Sequence, residues 1–481
     1  MKKILLLLAV LALFSCTRPE DRTPQGEQDT PVVPPDDNPK KDTTDTPAPD
    51  KYGIAYMFDG SVIPELHITV PLDDWNTLLA CYDANNRTKR YVSCSLRYVR
   101  GEEECRLESV GLRLKGGSSR RRPEMGSGQH DPGNKRAMQH CHFTVNFRHF
   151  IDDKSQEIHG CKGIRLKFFN LDPSYVREPF CYEIFRQYGI WTAINSCYCR
   201  LWLKVEGDPE ETYYGVYILE EPINKTFVKQ REALFGSREG NLWKCRYWSK
   251  LDETPASIGV DLGGDEEYIY EYKLDEKDFE AAKEQLNLFR HKLVSLTDDE
   301  FRVWIQKVCD VELLLKTYAV NVAVGMWDDY WYNANNYYLY FNSRDPENYK
   351  FYFIPFDYDI SLGDTTEGMD AGRRNPLEWG DGSNPLIHRI LKYDDFRRIY
   401  TSALQELTQD GGLLCEKNAV FRIKTMQNRI RSYVYNETGE DLYISDRTAG
   451  WSFNPEYRLT EDSADNFFRV KAESVRKYCT E

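Results

Sequence analysis

In the second half of this 481-residue chain, two short apolar runs are bracketed by acids. The runs are Asn336-Tyr337-Tyr338-Leu339-Tyr340-Phe341 and Lys350-Phe351-Tyr352-Phe353-Ile354-Pro355-Phe356, joined by a turn that contains Asp345-Pro346. Their length and aromatic content predict a pair of β-strands. Trp327-Asp328-Asp329-Tyr330 precedes the pair and Asp357-Tyr358-Asp359 follows it. At a strand end, the period of two points Asp357 and Asp359 to one face, about 7 Å apart at the Cα level. Such a pair suits a hard divalent cation that already holds phosphate oxygens. Mg²⁺ takes few protein ligands and keeps its other positions for water and substrate.

Alternating patterns ahead of this region predict strands near 67–70, 91–96, 110–114, 142–147, 163–168, 197–205 and 213–219, with one short helix near 73–81. A helix start is readable at Asp172 as N-cap and Pro173 as first helical residue, with Val176, Phe180 and Ile184 down one face until Gly189. Pro179 inside it predicts a kink. Helical periodicity then takes over at 279–296 and 298–324. A strand-rich first half leading into a helical second half predicts an α+β arrangement with two lobes, the strands from 112 to 219 forming one sheet backed by the Asp172 helix.

The chain opens with Met1-Lys2-Lys3, an apolar run over 4–14, and Ser15-Cys16, the order of an export signal. The run is shorter than the roughly 20 residues of a membrane span. Leu13 and Ser15 ahead of Cys16 fit the box read by a lipoprotein peptidase, so residues 1–16 are expected to be a lipoprotein signal with Cys16 lipidated. Residues 17–52, mostly Pro, Asp and Thr, have almost nothing apolar to bury and are expected to form a disordered tether. The membrane tie would be lipid alone. Glu20-Asp21 resembles the acidic surface-export signal of Bacteroidota lipoproteins, so the expected location is the cell envelope, as an outer-membrane lipoprotein with surface exposure favoured. Residues 53–110 read as a β-rich extension of a main domain at 111–481. A net charge of −14 argues against a nucleic-acid partner. No C-x-x-C pair is present, which disfavours a zinc ribbon, and Cys181, Cys197 and Cys199 sit in apolar runs as expected of buried free thiols. Neither G-x-S-x-G nor H-E-x-x-H occurs, which disfavours serine and zinc hydrolases.

The order of acids along the chain resembles that of a protein kinase, where a catalytic Asp is followed by a metal-binding Asn, two short strands and a second metal-binding Asp. Here Asp328 and Asp329 precede Asn333, Asn335 and Asn336, then the strand pair, then Asp357. The stretches G-L-R-L-K-G-G-S-S, L-D-P-S-Y-V-R-E, Y-Y-G-V-Y-I-L-E-E-P-I, D-D-Y-W-Y-N-A-N-N-Y-Y-L-Y, I-P-F-D-Y-D-I-S-L-G and N-P-L-I-H-R-I-L resemble the successive blocks of the CotH spore-coat kinase family. The closing D-N-F-F-R-V-K-A-E-S-V-R-K-Y resembles the family's last helix.

That resemblance implies an atypical kinase-like fold over 111–481 that binds ATP with Mg²⁺ or Mn²⁺ and phosphorylates Ser or Thr of a protein substrate. It implies a metal site at Asp357, Asp359 and Asn336, and a catalytic Asp at either Asp328 or Asp329, with Asp329 favoured. Gly116, Gly117 and Ser118, between two strands, would let backbone amides approach phosphate. Lys167, with Glu178 as its partner, is the positional analogue of the kinase lysine, while Lys115 and Lys135 compete for that role. Arg177 matches the family's Arg in a structural ion pair. Glu220 and Glu221 stand where a kinase has its hinge, so that their backbone would read adenine. The basic loop 120–135 is long for the pattern and is expected either to hold an acidic substrate or to be disordered. Two other readings use the same residues: a surface scaffold of the same fold without chemistry, and a metal-dependent glycosyltransferase using the D-x-D. The latter lacks an early βαβ unit with a Gly-rich turn.

Overall fold

The structure is a computed structural model that describes residues 53–479; the lipidation expected at Cys16 and the tether expected at 17–52 lie outside them. In chain order its first half runs α1 (Ile54–Met57), β1 (Glu65–Val70), α2 (Leu72–Ala84), β2 (Val92–Arg100), β3 (Glu103–Lys115), β4 (His142–Asn146), β5 (Gly163–Lys167), α3 (Arg177–Gln187), β6 (Ser196–Val205) and β7 (Thr212–Glu220). Burial alternates residue by residue along β2, the signature of a strand with one face on a core. The seven strands close in the order β1-β2-β3-β4-β5-β7-β6. Parallel pairing of β1 with β6, from Glu65 opposite Arg200 to Val70 opposite Val205, shuts the barrel. Leu66, Ile68, Leu112, Leu114, Val145, Leu166, Leu201 and Leu203 fill it.

Closure corrects the expected single sheet from 112 to 219. Residues 53–110 supply β1, β2 and most of β3, so the boundary drawn at 110/111 falls inside β3. A closed seven-stranded barrel is also not the usual form of a kinase's strand-rich lobe. The mixed α+β class stands.

The second half continues with α4 (Lys225–Gln230), α5 (Glu232–Phe235), β8 (Asn241–Cys245), β9 (Ile258–Val260), β10 (Tyr270–Tyr272), α6 (Phe279–Ser295), α7 (Asp298–Val308), α8 (Val311–Ala323), α9 (Tyr330–Asn333), β11 (Tyr337–Phe341), β12 (Phe351–Pro355), α10 (Pro385–Ile390), α11 (Asp394–Thr408), α12 (Glu416–Ile430) and α13 (Phe467–Tyr478). The expected strand pair is β11 and β12, buried on both faces. It belongs to a five-stranded sheet, β12-β11-β8-β10-β9, so the helical half carries a second sheet. Among the described residues no helix is long and apolar enough to cross a membrane.

The helix after Asp172 starts later than its sequence suggests. Tyr175 has φ +61, and α3 begins at Arg177. Asp172 instead accepts hydrogen bonds from the amides of Ser174 (2.9 Å) and Arg177 (3.1 Å), closing the turn that leads into the helix. Pro179 is therefore in the first helical turn, where its missing N–H removes no intrahelical bond, and no kink is required. Phe180, Ile184 and Phe185 of α3 join a large core with the outward-facing Tyr198, Val216 and Ile218 of the barrel wall and with Tyr358 and Phe468. This shared core binds barrel and second half together.

The loop expected to be disordered or substrate-binding is tied down by its own charges. Arg122 pairs with Asp83 (2.8 and 3.0 Å), and Arg121 with Glu440 (3.2 Å). The buried His130 lies between Glu124 and Asp208, 3.1 Å from the latter, and Trp75 donates to the same Glu124 at 2.6 Å. Burial works against a charged imidazole, but hydrogen bonds to Glu124 and Asp208 outweigh it and hold the His130 pKa above its usual value. A raised folded pKa stabilises fully below the unfolded value, and the contribution is lost as pH rises through the folded value. His130→Gln is thus expected to cost about 1–2 kcal/mol at pH 6 and clearly less at pH 9. Denaturant melts at the two pH values test this, and an equal loss at both would contradict it.

Candidate functional site

Lys167 ends β5, Glu178 lies in the first turn of α3, and Asp357 and Asp359 follow β12. These elements meet at one buried point. Lys167 is 2% exposed. It contacts Glu178 Oε2, lies 2.6 Å from Asp357 Oδ1 and is 3.5 Å from Asp359 Oδ2. Strand β12 stops at Pro355, and Asp357 has φ +66, so the D-x-D occupies a turn rather than a continuing strand. The turn is fixed from α3: the Asp357 amide donates to the Tyr182 hydroxyl (3.0 Å) and the Tyr358 amide to Glu178 Oε1 (3.2 Å). Tyr358 points inward, its hydroxyl donating to Asn321 at 2.8 Å. Both flanking carboxylates still reach Lys167, though by a left-handed turn and not by the period of two.

The ion balance of this cluster is uneven. Burial opposes charge on Lys167, but Asp357, Asp359 and Glu178 hold its pKa well above the usual value. Burial likewise opposes ionisation of Asp357, and the ammonium groups of Lys167 and Lys115 overcome it, keeping that carboxyl low. At Asp359 and Glu178 burial wins, and both carboxyl groups are pushed up. The Lys167 ammonium alone does not neutralise three carboxylates, of which Glu178 is buried and Asp357 and Asp359 are half-buried. Donor oxygens of Glu178, Asp357 and Asp359 lie within 4.8 Å of one another, an all-oxygen set of the kind a hard divalent cation takes.

The aim of Glu178 depends on its neighbour. Arg177 is completely buried, paired with Asp172 (2.5 Å) and Asp364 (2.9 Å), and donates to the Ser361 carbonyl (3.1 Å). It thereby ties the start of α3 to the chain just beyond Asp359.

Asp328 and Asp329 separate in role. Asp329 is 3% exposed and caps α9, accepting from the Tyr332 amide at 2.8 Å through one oxygen and from Asn321 Nδ2 at 2.6 Å through the other. Burial raises its pKa to about 8. Asp328 is part-exposed and held by the side-chain amides of Asn333, Asn335 (3.0 Å) and Asn336 (2.9 Å). Burial raises its pKa to about 7, the asparagine amides pull against that, and the charges of Asp357 and Asp359 add to it. Asn336, itself left-handed at φ +54, is placed on Asp328 by its amide nitrogen.

At Gly116 φ is +115, and an added Cβ would come within 3.0 Å of Ser119 Oγ and 3.2 Å of the Arg120 amide. Arg120 closes this loop on the Gly116 carbonyl (3.1 Å), leaving Gly117 and Ser118 exposed. The loop follows Lys115, whose ammonium is 3.7 Å from the fully buried Glu220. Glu220 lies on β7, an interior strand of the barrel, and the Glu221 amide already donates to the Asn195 carbonyl (3.0 Å). The hinge-like backbone expected at these two residues is therefore engaged in the barrel, and it is the Glu220 carboxylate that enters the cluster. Lys135 is elsewhere, paired with Glu210 (2.8 Å) and Glu437 (2.7 Å).

Two cations escaped the sequence reading. Lys115, Arg165 and Lys244 surround the Phe356 ring at 5.8, 5.3 and 5.4 Å from its centroid. The Nη1 of Arg165 is buried without a partner, and burial together with nearby cations pushes Lys244 well below its usual pKa. Arg165 was legible, being two residues before Lys167 on one strand face. Lys244 was not, because β8 has only five residues, Asn241 to Cys245. Arg165, whose charged form is favoured, has an N–H to offer a polyanion.

Because both Asp329 oxygens serve the fold, Asp329→Ala is expected to destabilise by about 1–3 kcal/mol through loss of a cap and of one of the two acceptors of the Asn321 amide. Asp328→Ala, in a part-exposed loop where water can reach the freed amides, should cost less. Parallel thermal melts decide, and the reverse order would exchange the two roles.

No curated protein matches the sequence. Residues 112–460 match the family model described as CotH kinase protein. The match covers well over half of the chain and spans Lys167, Glu178, Asp328 and Asp357, so the chain belongs to the CotH kinase family.

Proposed function

We propose that this protein is a kinase-like phosphotransferase that moves the terminal phosphoryl group of ATP, with Mg²⁺ or Mn²⁺, to a Ser or Thr hydroxyl of a protein. The supporting observation is the meeting of Lys167, Glu178 and Asp357: a strand lysine, a helix glutamate and an aspartate after paired strands, the three positions that a protein kinase needs in place together. Asp357 and Asp359 would hold the metal together with Asn336, and the cation would supply charge neutralisation at the phosphates. Lys167 takes the nucleotide phosphates, with Glu178 holding its charge, and Gly116, Gly117 and Ser118 lie where backbone amides can join. Asp328 receives the acceptor proton as the acceptor oxygen bonds to phosphorus and the nucleoside diphosphate leaves. Its part-exposed position favours it over the capping Asp329. The rate gain comes from positioning and charge neutralisation.

The same reading places the enzyme outside the cytoplasm, tethered by a lipid at Cys16 in the cell envelope. The support is the Leu13-to-Cys16 box at the end of a short apolar run.

ATP with Mg²⁺ or Mn²⁺ is expected to raise the melting temperature of the parent by about 3–5 °C at roughly a hundred times Kd. A chelator should cancel the shift. Asp357→Ala should melt cooperatively but show neither the metal-dependent shift nor phosphotransfer. Metal-dependent ATP stabilisation as large in Asp357→Ala as in the parent would refute the assignment.

A further inference from the structure

The chain leaves β8 through a tight turn in which the Ser249 amide donates to the Arg246 carbonyl at 3.0 Å. Tyr247 and Trp248 form its corner. Trp248 has φ +79, at the position of such a turn that Gly or Asn occupies without strain. A bulky aromatic there is an outlier, and burial does not explain it. Trp248 is 43% exposed and Tyr247 40%, their ring centroids 5.6 Å apart.

This strained corner is bolted to the loop that presents Asp328. The Ser249 amide and hydroxyl both donate to the Ala334 carbonyl, at 3.0 and 3.2 Å. The Tyr337 hydroxyl donates to the Ser249 carbonyl at 2.6 Å, and the Tyr330 hydroxyl to the Lys250 carbonyl at 3.2 Å. Ala334, Tyr330 and Tyr337 flank the asparagines that hold Asp328.

We propose that Tyr247 and Trp248 are the docking platform for the acceptor polypeptide, receiving an apolar or aromatic side chain close to the hydroxyl residue that is phosphorylated. The inference rests on the transferase reading above and adds the acceptor's chemistry to it. The groups suited to phosphate, Lys115, Arg165, Lys167 and the Gly116 loop, come from the barrel, whereas the hydrogen bonds at Ala334, Tyr330 and Tyr337 join the Tyr-Trp corner to the Asp328 loop. An extended polypeptide advances about 3.3 Å per residue, so a neighbour of the accepting hydroxyl at Asp328 comes within reach of rings fixed to that loop. The Lys250 ammonium lies 4.6 Å from the Trp248 ring centroid, so an acidic residue in the same segment complements the platform.

The test is a degenerate peptide mixture with a fixed central Ser, incubated with ATP and Mg²⁺, its phosphorylated fraction sequenced by mass spectrometry. The parent should enrich Phe, Tyr, Trp or Leu about 2- to 10-fold at one fixed offset from the Ser, the range that an aromatic contact supplies. Trp248→Asn suits the left-handed backbone and should melt at or above the parent's temperature, keep the shift with ATP and metal, and lose the enrichment. Tyr247→Ala should weaken it. Enrichment unchanged in Trp248→Asn, or a flat parent profile, would overturn the platform. Loss of the ATP shift in Trp248→Asn would overturn it in favour of a nucleobase seat. A parent that shifts with ATP and metal yet phosphorylates no peptide would overturn the transferase reading, and this inference with it.

Discussion

A single buried ammonium, that of Lys167, sets the terms for the rest of the molecule. An isolated lysine at 2% exposure would lose its proton rather than keep its charge out of water. It stays charged because three carboxylates converge on it, and these come from different parts of the fold: Glu178 from α3, and Asp357 and Asp359 from the turn after β12. Desolvation at such a site exceeds what any one pair returns, so the arrangement persists only if every member is held from outside. Arg177 does much of that holding. Its bonds to Asp172, Asp364 and the Ser361 carbonyl fix the first turn of α3 against the chain beyond the D-x-D, and Glu178 is the next residue.

The chemistry of this cluster was more legible in the sequence than its setting. Lys167, Glu178 and Asp357 could be named because residue type and chain order survive without coordinates. The strands of the first half could be named because one-faced burial writes a period of two. Barrel closure could not, since β1 and β6 pair across 135 positions from Glu65 to Arg200 and nothing local encodes that partnership. Strands β9 and β10, three residues each, are too short to show a period. Asp172 misled for a different reason: Asp-Pro opens a helix or a turn equally well, and the left-handed Tyr175 that selects the turn leaves no mark in composition.

The ambiguity between Asp328 and Asp329 was of the same kind. Adjacent acids are equivalent on paper. A cap gives one of them a structural task, because the first amides of a helix need acceptors and Asp329 supplies one to Tyr332. Asp328 then faces the asparagines and the charges of Asp357 and Asp359, a division of labour fixed by where α9 begins.

Backbone strain marks the same region. Trp248, Ala334, Asn336, Asp357 and Leu362 all have positive φ without being glycine, and they lie in the turns that carry or adjoin the proposed catalytic groups. Left-handed residues of this kind cost on the order of 1–3 kcal/mol each and persist only where surrounding contacts overdetermine them. Here the contacts are specific: Ser249 on Ala334, Asn336 on Asp328, the Asp357 amide on Tyr182, and the Leu362 amide on the Val324 carbonyl at 2.8 Å. Turns secured in this way resist adjustment when a ligand arrives. Phosphoryl transfer asks little covalent chemistry of a protein and a great deal of placement. Stability spent in these turns is therefore consistent with carboxylates set in advance, with substrate rather than protein making the larger adjustment.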